Sequence, residues 1–225
     1  MTQSSAIREL RELRDRARVF VDRSAAGLVL AGMLEGYRGG CALVLAIPAG
    51  GVPVAVQIAT SLGLALEVAP VSKVLLPWTT EAGYGAVAFD GSAWIDEGAV
   101  VRFGLTEQQV VHGVAEARDK VERRTARLRA GRALPELAGR DVIVVDDGIA
   151  AGSTTRTAIA AVRRHKPREI VIAVPTAHEH ALSAIVKLVD CVYCANIRSG
   201  HVFAVADAYE QWRDISEDEV AGMLS

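Results

Sequence analysis

The sequence is short of cysteine, of aromatic residues and of net charge. It has three cysteines, 5% aromatic residues, and 25 Lys and Arg against 27 Asp and Glu, for a formal net charge of −2. Three cysteines, an odd number, favour a reducing cytoplasm over a secreted disulfide framework. With balanced charge, the chain lacks the excess of Lys and Arg by which proteins bind the phosphates of nucleic acid. Residues 1–18 lack the apolar run of a signal peptide. We therefore expect a cytoplasmic protein that does not bind nucleic acid.

Charged residues are also missing from one long stretch, which runs from Gly39 to Leu66 without Lys, Arg, His, Asp or Glu. About 20 apolar residues are enough to span a bilayer. Pro48, Pro53 and the Gly50-Gly51 pair interrupt this stretch, however, and would break a membrane helix. The stretch therefore predicts two buried elements joined by an unusual loop, and we expect no membrane span.

Short apolar runs alternate with segments of helical periodicity along most of the chain. The runs predict buried strands over residues 41–47, 66–71, 142–145, 170–174 and 189–195. Helices are predicted over 19–37, with Asp22 or Ser24 as N-cap, over 54–62 and 154–165, and before residue 188. Buried strands that alternate with helices predict an α/β fold with a parallel sheet flanked by helices.

Residues 74–130 interrupt that alternation. Asp90-Gly91 lies between two apolar runs and predicts a hairpin. A long amphipathic helix over 105–130 follows, opened by a possible capping box in Thr106 and Gln109, and a second box is predicted at Ser216 and Glu219. The long helix is expected to pack on the body of the protein or on a dimer partner.

The strongest chemical signal lies between Val142 and Thr155. A buried strand ends in Asp146 and Asp147, and a turn of small residues then leads into a helix that begins with Ser and Thr. Ligands of open α/β sheets bind at the carboxyl ends of strands, and backbone N–H groups at a helix N-terminus favour phosphate. Two carboxylates beside a phosphate-binding turn would repel the phosphate unless the ligand also brings hydroxyl groups or a metal ion. A sugar phosphate offers hydroxyl groups to the carboxylates and a phosphate to the turn. The alternative is an ordinary strand–turn–helix with Asp and Ser as caps. A P-loop NTPase is disfavoured because the sequence has no G-x-x-x-x-G-K-[ST] motif.

This segment resembles the phosphoribosyl pyrophosphate (PRPP) motif of type I phosphoribosyltransferases. The resemblance implies that Asp146 and Asp147 bind the ribose 2′ and 3′ hydroxyls. It also implies that the 5′-phosphate is held by the turn, at Ala150, Ala151, Gly152, Ser153 and Thr154. Further landmarks resemble those of a less characterised branch of the family, in order and spacing; they are Phe20 to Arg23 with Ala26-Gly27, Pro48 to Val52, Glu81 with Gly85 to Val87, and Phe203 to Val205 with Tyr209.

The resemblance gives the loop after the first strand a role. In the family this loop binds pyrophosphate through backbone N–H groups, often with a strained peptide bond, which implies binding at Ala49, Gly50 and Gly51. Two positions depart from the family pattern. Ala49 stands where the branch usually has Arg or Lys, and Ala151 stands where the motif has Thr. The two alanines therefore leave the implied site without a cation and without a hydroxyl group.

The resemblance implies one domain over residues 1–225. Its core would cover about 39–73 and 140–195, its hood 1–38 and 196–225, and its insertion about 74–130. The implied reaction transfers phosphoribosyl from PRPP to a nitrogenous base and releases pyrophosphate with the help of Mg²⁺, in a protein expected to be a homodimer. The base is not identified. The alternative is a regulatory protein that binds PRPP or a nucleotide without turnover, which Ala49 and Ala151 favour.

Three further sets of residues carry hypotheses. Lys73 is a candidate catalytic residue that belongs, with Glu81 and Tyr84, to a mobile loop covering the pyrophosphate during reaction; the alternative is a strand-terminal Lys in solvent. Cys191 and Cys194, with His178 and His180 upstream, suggest zinc, but His-x-His does not match the usual spacing, and strand residues three apart face opposite sides. Selectivity for the base is expected in the hood, at Asn196, Arg198, Phe203, Asp207 and Tyr209.

Overall fold

A six-stranded parallel sheet and a three-stranded antiparallel sheet form the framework of the protein. The structure is a computed structural model, which describes residues 6–79 and 82–224. The strands are β1 (Ala6–Arg8), β2 (Leu43–Ala46), β3 (Ala65–Val68), β4 (Val71–Leu75), β5 (Gly83–Ala88), β6 (Ala93–Ile95), β7 (Asp141–Val145), β8 (Glu169–His178) and β9 (Cys191–Arg198). The larger sheet has the order β1-β9-β8-β7-β2-β3 and the smaller one the order β4-β5-β6.

Seven α-helices accompany these strands in the described part of the chain. They are α1 (Arg23–Met33), α2 (Gly51–Leu62), α3 (Glu97–Arg102), α4 (Glu107–Arg129), α5 (Ser153–Arg164), α6 (Glu179–Ile185) and α7 (Glu217–Met223). The prediction of an α/β fold with a parallel sheet flanked by helices is confirmed. The hairpin after β4 and the long helix α4 are present as predicted.

The central strands of the larger sheet are buried on both faces, which explains their continuous apolar runs. Every residue of β2 and of β7 is buried. Side chains of α1 and α2 belong to the core on one face of the sheet, and side chains of α5 and α6 belong to the core on the other. Cys191 belongs to the first core and Cys194 to the second, as their spacing on a strand predicts.

The second predicted strand, over residues 66–71, extends too far along the chain. The parallel strand β3 stops at Val68, and Pro70, which has no backbone N–H to donate to a ladder, separates it from β4. From Val71 the chain runs in the antiparallel sheet, where Lys73 lies opposite Ala86 on β5. Lys73 therefore belongs to the smaller sheet. The division of the chain into core, hood and insertion stays a prediction.

Two short elements were not predicted. The edge strand β1 pairs in parallel with β9, although its three residues are exposed and show no apolar pattern. Helix α3 has only six residues and begins at the N-cap Asp96, whose side chain accepts a hydrogen bond from the Ala99 N–H at 3.0 Å. Both elements are too short for periodicity to reveal them.

Helix boundaries follow the predicted caps. Asp22 is the N-cap of α1 and accepts from the Ala25 N–H at 2.7 Å. The capping boxes at the starts of α4 and α7 are both formed. Helix α2 begins at Gly51, earlier than predicted, so the glycine loop runs directly into the helix. No helix within residues 6–79 or 82–224 is long and apolar enough to cross a membrane.

The N-terminal and C-terminal parts of the chain are hydrogen-bonded to each other beside the larger sheet. Residues 18–20 donate backbone hydrogen bonds to the carbonyls of Asp207 and Ala208 at 2.8–3.0 Å. In return the Glu210 and Gln211 N–H groups donate to Phe20 and Val21 at 2.8 and 2.9 Å. This pairing places Arg23 and the segment 209–213 next to the carboxyl end of β7, where the predicted acidic pair lies.

Candidate functional site

The candidate site lies where the sheet changes its winding direction. Strands β2 and β7 are neighbours in parallel register, with Ala46 opposite Val145, and the Ile47 N–H donates to the Val145 carbonyl at 2.8 Å. The chain proceeds from β2 to β3 on one side and from β7 to β8 on the other. Open α/β sheets bind ligands in the crevice at such a switch point. The loops that follow β2 and β7 are the glycine loop, residues 48–51, and the acidic pair with its turn.

The glycine loop packs directly against the acidic pair. A Cβ atom on Gly50 would lie 1.9 Å from Oδ2 of Asp147, and one on Gly51 would lie 2.7 Å from the Val145 carbonyl oxygen. Only glycine permits the backbone to approach so closely. The Pro48–Ala49 peptide bond is cis. The two glycines therefore serve close packing between the loops that follow adjacent strands.

The two carboxylates of the acidic pair differ in their surroundings. Burial, and then the charge of Asp147, raise the pKa of Asp146 well above its ordinary value, while the more distant Arg23 opposes the rise. Oδ1 of Asp146 accepts a hydrogen bond from the Asp147 N–H at 2.9 Å. The pair thus combines a carboxyl group whose surroundings disfavour its charge with a neighbour that has its own cation.

That cation is Arg23, the first residue of α1. Its Nε donates to Oδ2 of Asp147 at 2.8 Å, and the two side chains form an ion pair. On the other side of Asp147, the Tyr209 hydroxyl donates to the backbone carbonyl of Asp147 at 2.6 Å. Burial, with the nearby charge of Asp147, raises the pKa of Tyr209, so the hydroxyl keeps its proton for this bond. Both ends of the chain therefore hold Asp147 in place.

The turn after the acidic pair is fastened to β8. The Ile149 N–H donates to the Thr176 carbonyl at 3.0 Å, and the His178 N–H donates to the Ile149 carbonyl at 2.9 Å. Gly152 then adopts a left-handed conformation with φ of 79° and leads into α5 at Ser153. The first N–H groups of a helix have no partners within the helix and favour an anion.

The structure brings most of the predicted site residues to one place. Asp146 and Asp147 face Gly50 and Gly51 directly, and Ala49 precedes those glycines. The predicted phosphate turn, comprising Ala150, Ala151, Gly152, Ser153 and Thr154, follows the acidic pair and is exposed or half-buried throughout.

Lys73 and its two expected companions are not assembled into one loop. The side chain of Lys73 is exposed on β4 and has no ion-pair partner within residues 6–79 and 82–224. Tyr84 is buried, and its hydroxyl donates to the Gln109 carbonyl of α4 at 3.2 Å, so it is a core residue of the smaller sheet. Glu81 lies outside the described residues.

The cysteines do not come together with the histidines. Cys191 and Cys194 are buried on opposite faces of the sheet, and burial raises the thiol pKa of both. His178 packs edge-on against Phe203, and its Nε2 lies 3.2 Å from the Gly200 carbonyl. Among the described residues, no group of three or more His, Cys, Asp or Glu is placed to enclose a metal ion. The geometry does not support the zinc hypothesis.

Asn196 is a structural residue, and its expected role in base selectivity is wrong. The side chain is fully buried on β9. Its Nδ2 donates to the carbonyls of Leu13 and Arg16 at 2.5 and 3.2 Å, and its Oδ1 accepts from the Thr176 hydroxyl at 2.7 Å. Every hydrogen-bonding atom of the amide is therefore engaged in tying the N-terminal segment to the sheet.

Replacing Asn196 with Ala should destabilise the fold without changing the preference for an acceptor. The change leaves the buried Thr176 hydroxyl without its acceptor and removes the donor to the carbonyls of Leu13 and Arg16, and we expect a loss of about 1–3 kcal/mol in the free energy of unfolding. Urea denaturation with an unchanged slope would measure it. Unchanged stability together with an altered acceptor preference would contradict the structural role.

Sequence reasoning identified the acidic pair but missed the two residues that hold it. The sequence marks Arg23 only as part of a family landmark and suggests a role in base selectivity for Tyr209. One local signal was available for Arg23: a cation directly after an Asp N-cap lies at the positive end of the helix dipole, where it is unfavourable. Such a position suggests that the cation serves a partner outside the helix.

Comparisons with known proteins agree on one family. The family model described as "Phosphoribosyl transferase domain" matches residues 26–211. Two Mycobacterium tuberculosis proteins, Rv0571c and MT0597, both named provisionally as phosphoribosyl transferases, are 34% identical to the chain over 215 residues. The match covers 92% of this chain but 46% of each relative, so the chain spans about half the length of these curated relatives.

A solved structure shares the fold. The crystal structure of the protein TT1426 from Thermus thermophilus is 32% identical in sequence and superimposes with a TM-score of 0.74. The superposition covers 91% of this chain and 97% of that one.

Proposed function

The chain belongs to the phosphoribosyl transferase family, and we propose that it transfers the 5-phosphoribosyl group from PRPP to a nitrogenous base and releases pyrophosphate. One observation carries the proposal: the acidic pair and the glycine loop meet at the carboxyl ends of β2 and β7, with the Asp147 carboxylate against Gly50. Carboxylates accept hydrogen bonds from sugar hydroxyls, and a loop of small residues lets its backbone come close to phosphate groups.

Each part of PRPP has a proposed partner. Asp146 and Asp147 accept hydrogen bonds from the ribose hydroxyls, and the turn from Ala150 to Thr154 with the start of α5 binds the 5′-phosphate. Ala49, Gly50 and Gly51 bind the pyrophosphate through their backbone. Lys73 is proposed as a further cation for the pyrophosphate, supported by its exposed side chain on β4.

The proposed reaction breaks the bond between C1 of the ribose and the pyrophosphate oxygen and forms a bond from C1 to a nitrogen of the base, which gives up its proton to solvent. The pyrophosphate leaves with the electron pair of the broken bond. The residues hold the ribose while positive charge develops at C1, so the protein contributes mainly positioning and electrostatic stabilisation.

The donor set of the cleft fits Mg²⁺. The acidic pair presents hard oxygen donors, and the cleft loops contain no Cys or His. Among the described residues, no group of three or more His, Cys, Asp or Glu is placed to hold an ion, so most of its ligands would be substrate oxygens and water. Bound Mg²⁺ would neutralise charge on the departing pyrophosphate.

The cytoplasmic location and the homodimer stay predictions.

A regulatory protein that binds PRPP or a nucleotide without turnover is the second candidate. Ala49 in the glycine loop and Ala151 in the phosphate turn favour it, because neither side chain can donate a hydrogen bond. A hydrogen bond to a charged group is worth about 1.5–3 kcal/mol, so two missing donors bear on both substrate affinity and rate.

Pyrophosphate release with a panel of acceptors tests the proposal. The protein would be incubated with Mg²⁺, PRPP and purines, pyrimidines or small amines, and we expect release with at least one of them. Asp147→Asn is expected to lower kcat/KM roughly 10- to 100-fold, because it removes a charged acceptor of a ribose hydrogen bond. PRPP binding without turnover across the whole panel would favour the regulatory protein, and no binding at all would contradict both functions.

A further inference from the structure

Arg23 is a buried cation at a position where its own helix gains nothing from it. It is the first residue of α1, where the helix dipole disfavours positive charge, and the residue is 8% exposed. Burying a guanidinium is costly unless it is paired and hydrogen-bonded. The partners of Arg23 therefore indicate what the residue is for.

Those partners connect the acidic pair with the C-terminal segment 209–213. Nε donates to Oδ2 of Asp147 at 2.8 Å, and Nη1 donates to the Arg213 carbonyl at 2.9 Å. The guanidinium carbon lies 3.7 Å from the centroid of the Trp212 ring and 5.9 Å from that of Tyr209. A guanidinium held by a carboxylate, a carbonyl and an aromatic face has a fixed orientation.

The Asp147 carboxylate is enclosed on two sides by this arrangement. Its Oδ2 atom receives the Arg23 hydrogen bond and is also the atom that a Cβ on Gly50 would meet at 1.9 Å. A carboxylate offers about four lone-pair sites, so one bond from Arg23 leaves acceptors for other donors. Arg23 fixes the direction in which those remaining lone pairs point without using them all.

The candidate site contains the two carboxyl groups of Asp146 and Asp147 but few cations. Neither the glycine loop at 48–51 nor the turn at 148–154 contains Lys, Arg or His. Among the described residues, Arg23 alone forms an ion pair with the acidic pair. A ligand that carries phosphate groups would meet two carboxylates, and Arg23 is the group that offsets the charge of one of them.

On the basis of the proposed function, we infer that Arg23 is a positioning residue for PRPP, which orients and neutralises Asp147 and makes the ribose site depend on the segment 209–213. The ion pair fixes the orientation of the Asp147 carboxylate, and Trp212 with the Arg213 carbonyl fixes the orientation of the guanidinium. The C-terminal segment thereby acts on PRPP binding through Arg23.

Calorimetric titration with PRPP and Mg²⁺, without any acceptor, tests this inference separately from transfer. Arg23→Gln should weaken PRPP binding about tenfold or more, and Arg23→Lys should lie between it and the wild type, because Lys keeps the charge but not the planar fork. Trp212→Leu, which leaves Arg23 in place but removes its aromatic support, should weaken binding by a smaller factor of about three. Arg118→Gln, on the exposed face of α4, is the matched control and should bind as the wild type does.

A double-mutant cycle shows whether Arg23 acts through Asp147. In the Asp147→Asn background, Arg23→Gln should have less than a threefold further effect on PRPP affinity, whereas independent contributions would multiply. In steady-state assays with an active acceptor, the single variant should raise KM for PRPP far more than it lowers kcat, a pattern that a general loss of folded protein would not give. Urea denaturation of each variant would verify that it is folded.

The outcomes separate the two proposals. Wild-type affinity in Arg23→Gln, or full independence in the cycle, would overturn the inference while leaving the transferase proposal intact. PRPP binding that depends on Arg23 in a protein that releases no pyrophosphate would support the inference and reject the transferase. Failure of the wild-type protein to bind PRPP would overturn both.

Discussion

Asp146→Asn is expected to stabilise the fold at pH 7 while it weakens PRPP binding roughly 10- to 100-fold. The loss of affinity follows from replacing a carboxyl oxygen that accepts a ribose hydrogen bond with an amide nitrogen, which can only donate, and such a loss costs about 1–3 kcal/mol. The gain in stability follows from the environment of Asp146, where burial and the adjacent Asp147 disfavour a second negative charge. A gain of roughly 0.5–2 kcal/mol is the usual range for a stabilising substitution, and stability gained at a functional site is commonly accompanied by lost activity.

The stability difference should depend on pH with a defined sign. The pKa of Asp146 in the folded protein lies well above its ordinary value of 3.8. Between these two values the folded protein retains a proton that the unfolded chain has lost, so the free energy of unfolding falls as the pH rises. The stabilisation from protonated Asp146 is fully present below pH 3.8 and is lost as the pH rises through the folded pKa. The Asn variant lacks this dependence, so its advantage should grow with pH.

Urea denaturation at a series of pH values, with parallel PRPP titrations, measures both effects. Asp119→Asn is the control, because Asp119 is exposed on α4 and lies outside the cleft. A variant that is less stable than the wild type at pH 7 would show that the Asp146 carboxylate is well accommodated in the fold. A variant with wild-type affinity for PRPP would remove Asp146 from the proposed ribose site.

Strand and helix types could be predicted where a segment is long or buried on both faces. The apolar runs around Leu43 and Val142 gave β2 and β7, and the caps at Asp22, Thr106 and Ser216 gave the starts of three helices. Pro70 was visible in the sequence, but its consequence depends on tertiary structure, since only the folded chain shows that β4 pairs with β5 and not with the parallel sheet.

The acidic pair and its turn could be predicted because the residues that form them are consecutive. Arg23 and Tyr209 contact Asp147 across separations of 124 and 62 residues, and local spacing carries no information on such contacts. Asn196 illustrates the opposite error. Its place in the expected hood suggested a role in base selectivity, but its amide is fully used by backbone carbonyls and by Thr176.

Gly50→Ala is expected to weaken PRPP binding by about two orders of magnitude. The reason is steric and does not involve backbone conformation, because Gly50 has a φ of −61°, which any residue adopts. The added methyl carbon would lie 1.9 Å from Oδ2 and 2.4 Å from Cγ of Asp147. The carboxylate or the loop must therefore move, and a displacement of about 1 Å in a positioned group can cost about 100-fold.

A matched glycine separates this effect from the addition of a methyl group as such. A Cβ on Gly32, on the exposed side of α1, would meet nothing within 4 Å, so Gly32→Ala should bind PRPP as the wild type does. Crowding at Gly50 should also cost about 1–3 kcal/mol of stability, measurable by urea denaturation.

The Asp147→Asn background decides which group moves when Gly50 gains a methyl. If the methyl acts by displacing the carboxylate, adding Gly50→Ala to Asp147→Asn should have a much smaller effect than in the wild type, since the carboxylate has already been removed. If the methyl acts by moving the glycine loop, Gly50→Ala should cause the same loss of PRPP affinity in the Asp147→Asn background as in the wild type. Wild-type affinity in Gly50→Ala alone would show that PRPP binding does not depend on the contact between the loop and the acidic pair, on which the proposed function rests.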